Sequence, residues 1–520
     1  MKKIITLLSV TALVFACGTT KTATTKTTTK VKADVTEFGN TITAAELKES
    51  LYIYASDDFE GRETGTPGQK KAIEFLKKHY VELGIPSPIS EGDYFQEVPL
   101  EKSGAPKVDL SINNTAFKSV DDFISFGGSD GNLSAESIVY VGYGIEDDNY
   151  SSYTDVDVNG RVVLIKAGEP KNADGTYIVS GTTDATKWSN LRQEYRAKQS
   201  VAIEKGAKAI LYYNTSLYGI MAQNLGRMQG RISLKETTKE TATTPYFFFV
   251  NDVIAKAIVS DIDTNVTTQD LKTPIALNYK SESEELSSEN VVAFLKGTEK
   301  PDEVIVISAH LDHEGIKNGE IYNGADDDGS GSVALLEIAE AFKIAADKGQ
   351  GPKRSILFLH VTGEEKGLLG SRYYSDIDPI IPLKNTVADL NIDMIGRIDP
   401  KRKGDRNYIY LIGSDKLSTE LHNISEEVNK KYMNVVLDYT YNDENDPNRF
   451  YYRSDHYNFA KNNIPVIFYF NGTHDDYHKP SDTPDKIEYD LLENRTRLVF
   501  YTAWELANRA NRIVVDKATE

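Results

Sequence analysis

Five short blocks in the second half of the chain carry side chains that bind cations or move protons, four of them after apolar runs and one at the entry to an apolar helix. They are His310-Leu311-Asp312, Asp326-Asp327-Asp328, Glu364-Glu365, Asp393 in Asn391-Ile392-Asp393-Met394, and His474-Asp475-Asp476-Tyr477-His478. Three adjacent aspartates repel one another unless they lie in water, at a helix N-terminus or on a cation. Paired glutamates can divide labour, one binding a metal while the other accepts a proton from water. Asp393 sits among apolar residues and needs a partner if it is buried. A ligating imidazole needs its second nitrogen held, and Asp312 could hold that of His310. Each block alone also reads as a solvated loop or the polar start of a helix.

The elements around the blocks must bring them together. After Asn290 the pattern is of buried strands alternating with helices, which predicts an α/β fold with a mixed, largely parallel sheet covered on both faces. The apolar runs Val304 to Ala309, Ser355 to Val361, Thr386 to Ile392 and Pro465 to Phe470 read as strands, and each is followed by ligand-type residues. Carboxyl ends of strands line the crevice in such sheets, so these ends should converge. Upstream, Thr66-Pro67-Gly68-Gln69 starts a helix whose apolar positions are Ile73, Leu76, Tyr80 and Leu83, with Gly84 as its stop. Glu60-Gly61-Arg62 before it is a polar turn that could rim a pocket.

Composition narrows the chemistry further. A chain of 520 residues with 40% hydrophobic and 26% charged residues is long enough for two folded domains. Its net charge of -19 argues against a nucleic-acid partner. Cys17 is the single cysteine, so any metal in the folded part must be held by His, Asp and Glu. Lys2, Lys3 and the apolar run Ile4 to Phe15 form a signal peptide, and Val14-Phe15-Ala16-Cys17 resembles a lipobox, with Phe15 departing from the usual small residue. Residues 1–17 are therefore read as a lipoprotein-type signal and 18–40 as a Thr/Lys-rich tether. This implies export and attachment to a bacterial cell-envelope membrane only through a lipid on Cys17, otherwise a periplasmic or secreted protein. Residues 41–133 and 285–515 are assigned to one domain, and 134–260, with short strands and glycine turns, to an inserted β-rich α/β module.

The blocks, in this order, resemble the co-catalytic di-zinc peptidase family that includes bacterial leucyl aminopeptidases and glutamate carboxypeptidase, to which glutaminyl cyclases are related. The resemblance covers roughly Asn290 to Ala507 and, more weakly, Thr43 to Leu83. It implies two Zn²⁺ per chain. Asp327 would bridge them, His310 and Asp393 would complete one site, and Glu365 and His478 the other. It makes Glu364 the general base, Asp312 the residue orienting His310, and Tyr477 a donor to the oxyanion, and it leaves His313 and His474 outside the ligand set. Two Zn²⁺ bring four positive charges against three carboxylates, and a bridging hydroxide balances the remainder. The insert resembles a protease-associated domain.

The implied function is an exported exopeptidase acting on peptides, an aminopeptidase first, with a carboxypeptidase or dipeptidase on the same site as the alternative. A receptor-like binding protein that lost its metals is a third reading, which the complete ligand set opposes. The long insert and the paired glutamates oppose a glutaminyl cyclase.

Overall fold

A computed structural model describes residues 34–225, 230–235 and 244–517. The signal peptide and most of the tether lie outside these residues. The last part of the span read as tether does not: Val35–Gly39 is a helix, and Phe38 is fully buried in the main core. An aromatic side chain with a core to fill outweighs the polar composition around it. Among the described residues no helix is long and apolar enough to cross a membrane.

The main sheet has nine strands among the described residues: β1 (Phe95–Ser103), β2 (Ile232–Leu234), β3 (Ser283–Leu295), β4 (Lys300–His310), β5 (Arg354–Val361), β6 (Thr386–Ile392), β7 (Tyr408–Ile412), β8 (Val436–Asp438) and β9 (Val466–Phe470). Their order is β2-β1-β3-β5-β4-β6-β9-β7-β8. The central run β5-β4-β6-β9 is parallel, and antiparallel strands flank it. The fold is thus mixed α/β, as the alternating pattern predicts. β5, β6 and β9 are buried at every residue, because helices such as Gly331–Asp347 and Tyr489–Asn508 cover the sheet. The chain leaves β4 toward β5 on one side and leaves the adjacent β6 toward β7, β8 and β9 on the other, so a topological switch point lies between the ends of β4 and β6.

The helix expected from Thr66 onward is Pro67–Leu83, with proline in its first turn and Gly84 in the left-handed region at φ 67°. The expected capping bond is absent. The Thr66 hydroxyl donates instead to the Glu63 carbonyl at 2.7 Å, and Gln69 is fully buried.

The inserted module is built on two further sheets. One has six strands in the order Gln269–Leu271, Ile138–Tyr140, Val162–Lys166, Ala209–Tyr213, Tyr246–Val250 and Phe123–Gly127. The other pairs Thr115–Phe117, Lys107–Ile112, Ile275–Lys280 and Gly131–Ala135. Its strands therefore run from Lys107 to Lys280, beyond 134–260 at both ends, because the flanking segments alternate polar and buried residues against a shared core. Within this span Ile232–Leu234 is an exception, pairing with the edge of the main sheet at Leu100↔Leu234.

Candidate metal centre

Four of the five blocks sit at the carboxyl ends of central strands. His310 closes β4, Glu364 and Glu365 follow β5 after Gly363, Asp393 follows β6, and His478 lies in the turn after β9. Asp327 comes from the segment 325–330 that leads into the Gly331–Asp347 helix, and its peptide bond to Asp328 is cis.

Asp327 stands between two groups. Its Oδ1 is 3.1 Å from His310 Nε2, which is 3.6 Å from Asp393 Oδ1. Its Oδ2 is 3.0 Å from His478 Nε2, which is 3.2 Å from Glu365 Oε1. One carboxylate thus serves both groups, one oxygen to each. The geometry also brings in His313, which the resemblance leaves out. Its Nδ1 is 3.0 Å from Glu365 Oε1 and 3.8 Å from Asp327 Oδ2, and its side chain is fully buried.

These atoms meet without satisfying one another. His310 Nε2, Asp327 Oδ2, Glu365 Oε1 and both ring nitrogens of His313 are buried yet make no hydrogen bond. Unpaired buried polar atoms are costly, and so many converging on one point fit a cation. Imidazole nitrogen and carboxylate oxygen are zinc donors, and the residues present suit that ion.

The ionisation of the protein side chains reflects the crowding. Burial alone would lower the His310 pKa, but Asp393 and Asp327 hold it well above the usual imidazole range. Burial would raise Asp327, yet His313, His310 and His478 hold it well below the usual carboxylate range. Glu365, similarly opposed by burial and by Asp327, is drawn to about 2 by His313 and His478. Glu364 goes the other way. Burial and the nearby charges of Glu365 and Asp393 push it well up against the pull of His310, as suits a group that takes up a proton.

Supporting contacts come from residues with no obvious signature. His310 Nδ1 lies 3.0 Å from the backbone carbonyl of Asp312, while the Asp312 carboxylate is 4.0 Å away. Asp312 thus differs from its expected part: its carboxylate accepts from the Thr64 hydroxyl at 2.7 Å and from the Glu364 N–H at 3.1 Å, positioning the glutamate loop. Asp328 accepts from the N–H groups of His310, Gly331 and Met394 at 3.2, 2.8 and 3.1 Å, tying two strand ends to the helix start. Asp482 Oδ2 accepts from the N–H groups of Asp326 and Asp327 at 3.0 and 3.2 Å. Ser454 donates to Asp393 Oδ2 at 2.7 Å and so holds a ligand-type carboxylate. Arg62 rims no pocket. It is buried and donates to the carbonyls of Tyr54, Leu311, Asn323 and Gly324. His474 faces Asp326 at 3.2 Å, behind the convergence point.

A cavity of about 30 Å³ opens on the centre. Asp327, Glu364, Asp393 and His478 form its polar wall, and Met394, Phe450, Phe468 and Phe470 its apolar wall. Tyr477 also lines it, with its ring stacked on His478 at 3.9 Å between centroids. Burial, then the charges of Asp327 and Glu365, push the Tyr477 phenol far up, so it remains a donor at neutral pH.

An open α/β sheet with this cluster of imidazoles and carboxylates at its switch point has the donor set of a metal centre beside a cavity. Residues 290–503, the region that carries the centre, match the model of Peptidase family M28. The chain is 31% identical over 220 residues to a probable leucine aminopeptidase of Trichophyton verrucosum, covering 40% of this chain and 55% of that protein. It is 26% identical over 287 residues to aminopeptidase Y of Saccharomyces cerevisiae, covering 52% and 47%. It is 30% identical over 144 residues to a probable glutamate carboxypeptidase of Arabidopsis thaliana, covering 27% and 20%. The matches thus span between about a fifth and about half of these relatives' lengths. Among solved structures, an aminopeptidase from Aneurinibacillus sp. strain AM-1 aligns at 20% identity and a TM-score of 0.49, covering 94% of this chain and 99% of that one.

Proposed function

We propose that this chain is an exported di-zinc exopeptidase that removes residues from the amino end of peptides. The observation that carries this reading is Asp327, with one carboxylate oxygen beside His310 and the other beside His478. His310 and Asp393 would hold one ion and Glu365 with His478 the other, with Asp327 shared. The names of the relatives, leucine aminopeptidase and aminopeptidase Y, favour the amino end.

When bound, zinc lowers the pKa of water to near 7 and polarises a carbonyl. The protein supplies the remaining steps. Glu364, on the cavity wall, takes a proton from the attacking water and returns it to the leaving amine. The Tyr477 phenol donates to the oxygen on which charge develops. The apolar wall excludes water and takes up the side chain of the substrate.

Export and a lipid on Cys17 belong to the same proposal and rest on residues 4–17. The inserted module is read as a protease-associated domain that shapes or covers the cavity.

The test is metal content and turnover measured on the same samples, with free and N-blocked peptides. Glu364→Ala should keep both ions and lose at least about a hundredfold in kcat, whereas Asp393→Ala should lose metal and turnover together. Full activity of the Glu364 variant sinks the mechanism, and equal cleavage of blocked peptides sinks the aminopeptidase assignment.

A further inference from the structure

The cavity wall holds one side chain that the chemistry above leaves unused. Arg453, an exposed residue, lines the cavity together with three carboxylates, Asp327, Glu364 and Asp393. Its described partners are the Tyr477 hydroxyl, at 3.5 Å from Nη2, and the ring of Phe450, 5.0 Å from the guanidinium carbon. No carboxylate pairs with it among the described residues, although acidic side chains outnumber basic ones by 78 to 59 in the chain. Arg397, by contrast, has an acidic partner, Asp476, at 2.9 Å.

A guanidinium laid over an aromatic ring keeps its orientation and its outward donors free, the form that takes a carboxylate with two parallel hydrogen bonds. Arg453 is the one arginine or lysine among the described residues that line the cavity, so a substrate carboxylate that enters has this side chain as its partner. From this we infer that Arg453 is a specificity residue, binding a carboxylate group of the substrate next to the scissile bond. The inference rests on the peptidase reading and adds a substrate class to it: dipeptides, or peptides with an acidic residue at the cleavage point.

The carboxylate can come from three places on a peptide, which separate substrates distinguish. The free C-terminus of the second residue is read by leucyl-leucine against leucyl-leucine amide. The side chain of the second residue is read by leucyl-aspartate amide against leucyl-leucine amide. The side chain of the first is read by glutamyl p-nitroanilide against leucyl p-nitroanilide.

With the zinc-loaded protein, at least one pair should favour the carboxylate by about tenfold or more in kcat/KM, through KM. Arg453→Ala should bring that ratio to about 1, and Arg453→Lys should restore only part of it, because an ammonium lacks the planar fork. Calorimetric binding of the same peptides to the metal-loaded Glu364→Gln protein gives the ratio independently of turnover. Metal content identical to wild type shows that the variants fold.

Ratios near 1 in every pair, or ratios that survive both substitutions, overturn the inference. If no peptide is cleaved at all, the peptidase reading fails, and the binding ratios still decide the role of Arg453.

Discussion

The main sheet and the six-stranded sheet of the insert both place polar residues at the ends of buried parallel strands, yet only one of them makes a site. In the insert, Lys166 ends its strand and donates to the carbonyls of Ile262, Asp263 and Asn265 at 2.9, 3.2 and 2.9 Å. Asn214 follows the next strand, caps a helix through Leu217 N–H and donates to Glu194 at 2.6 Å. Asn251 follows the third and caps the Asp252–Ile258 helix. Those strand ends spend their polar groups on the fold. In the main sheet the corresponding ends leave His310 Nε2, Asp327 Oδ2 and Glu365 Oε1 without hydrogen bonds. Position at a strand end is common to both sheets, and the insert also has an unpaired buried atom in Glu169 Oε1, so what separates the main sheet is that several unpaired imidazole nitrogens and carboxylate oxygens converge on one point.

The contrast can be broken most directly at Asp482, which touches no ion-facing atom but holds the backbone of Asp326 and Asp327. Asp482→Ala should weaken metal binding by about 10- to 100-fold, measured by competition with a chelator. Unchanged affinity would mean that the convergence holds without it.

A buried carboxylate without a ligand role sharpens the comparison. Glu337, in the Gly331–Asp347 helix, is pushed up to about 8 by burial and by Glu46 and Glu340. The folded protein therefore holds a proton there that the unfolded chain has already released above about pH 4.5. Stability falls as pH rises from about 4.5 to about 8, since in this window the folded state binds more protons. Glu337→Gln removes that penalty. Its unfolding free energy should exceed wild type by about 1–2 kcal/mol at pH 8 and by nothing near pH 4.5, and an equal difference at both pH values would refute the assignment.

The smallest effect is expected in the insert. Asn251→Ala removes a helix cap and should cost about 1 kcal/mol of stability, read in a denaturant titration, with no change in metal content. Loss of metal in this variant would erase the distinction between the two sheets.

Much of this was legible in the residues. The apolar runs predicted the four central strands within a few residues at each end, because a strand buried on both faces has nowhere to place polar side chains. The ligand-type blocks were visible for the same reason: four of the five follow such a run. Contacts made by backbone were not. Asp312 was expected to hold His310 by its carboxylate, and the carbonyl does so, since sequence spacing does not tell which oxygen turns inward. His313, Ser454 and Asp482 carry no local signature. Only a loop returning from elsewhere in the chain gives each its partner, as Arg62 does by gathering four carbonyls around the Leu311 and Gly324 turns. The insert bounds were drawn too narrowly because its outer strands alternate polar and apolar residues, a weaker pattern than a continuous run.

The three backbone bonds accepted by the Asp328 carboxylate have a kinetic meaning as well. They join two strands and a helix without any contribution from an ion, so the cup around the ligands is assembled by the chain itself. In small zinc domains the ion is part of the folding free energy, and removing it unfolds the chain. Here loading and release become exchange events at a standing receptacle. Supply of the ion, not the renewal of the protein, would then set the fraction of molecules that carry it.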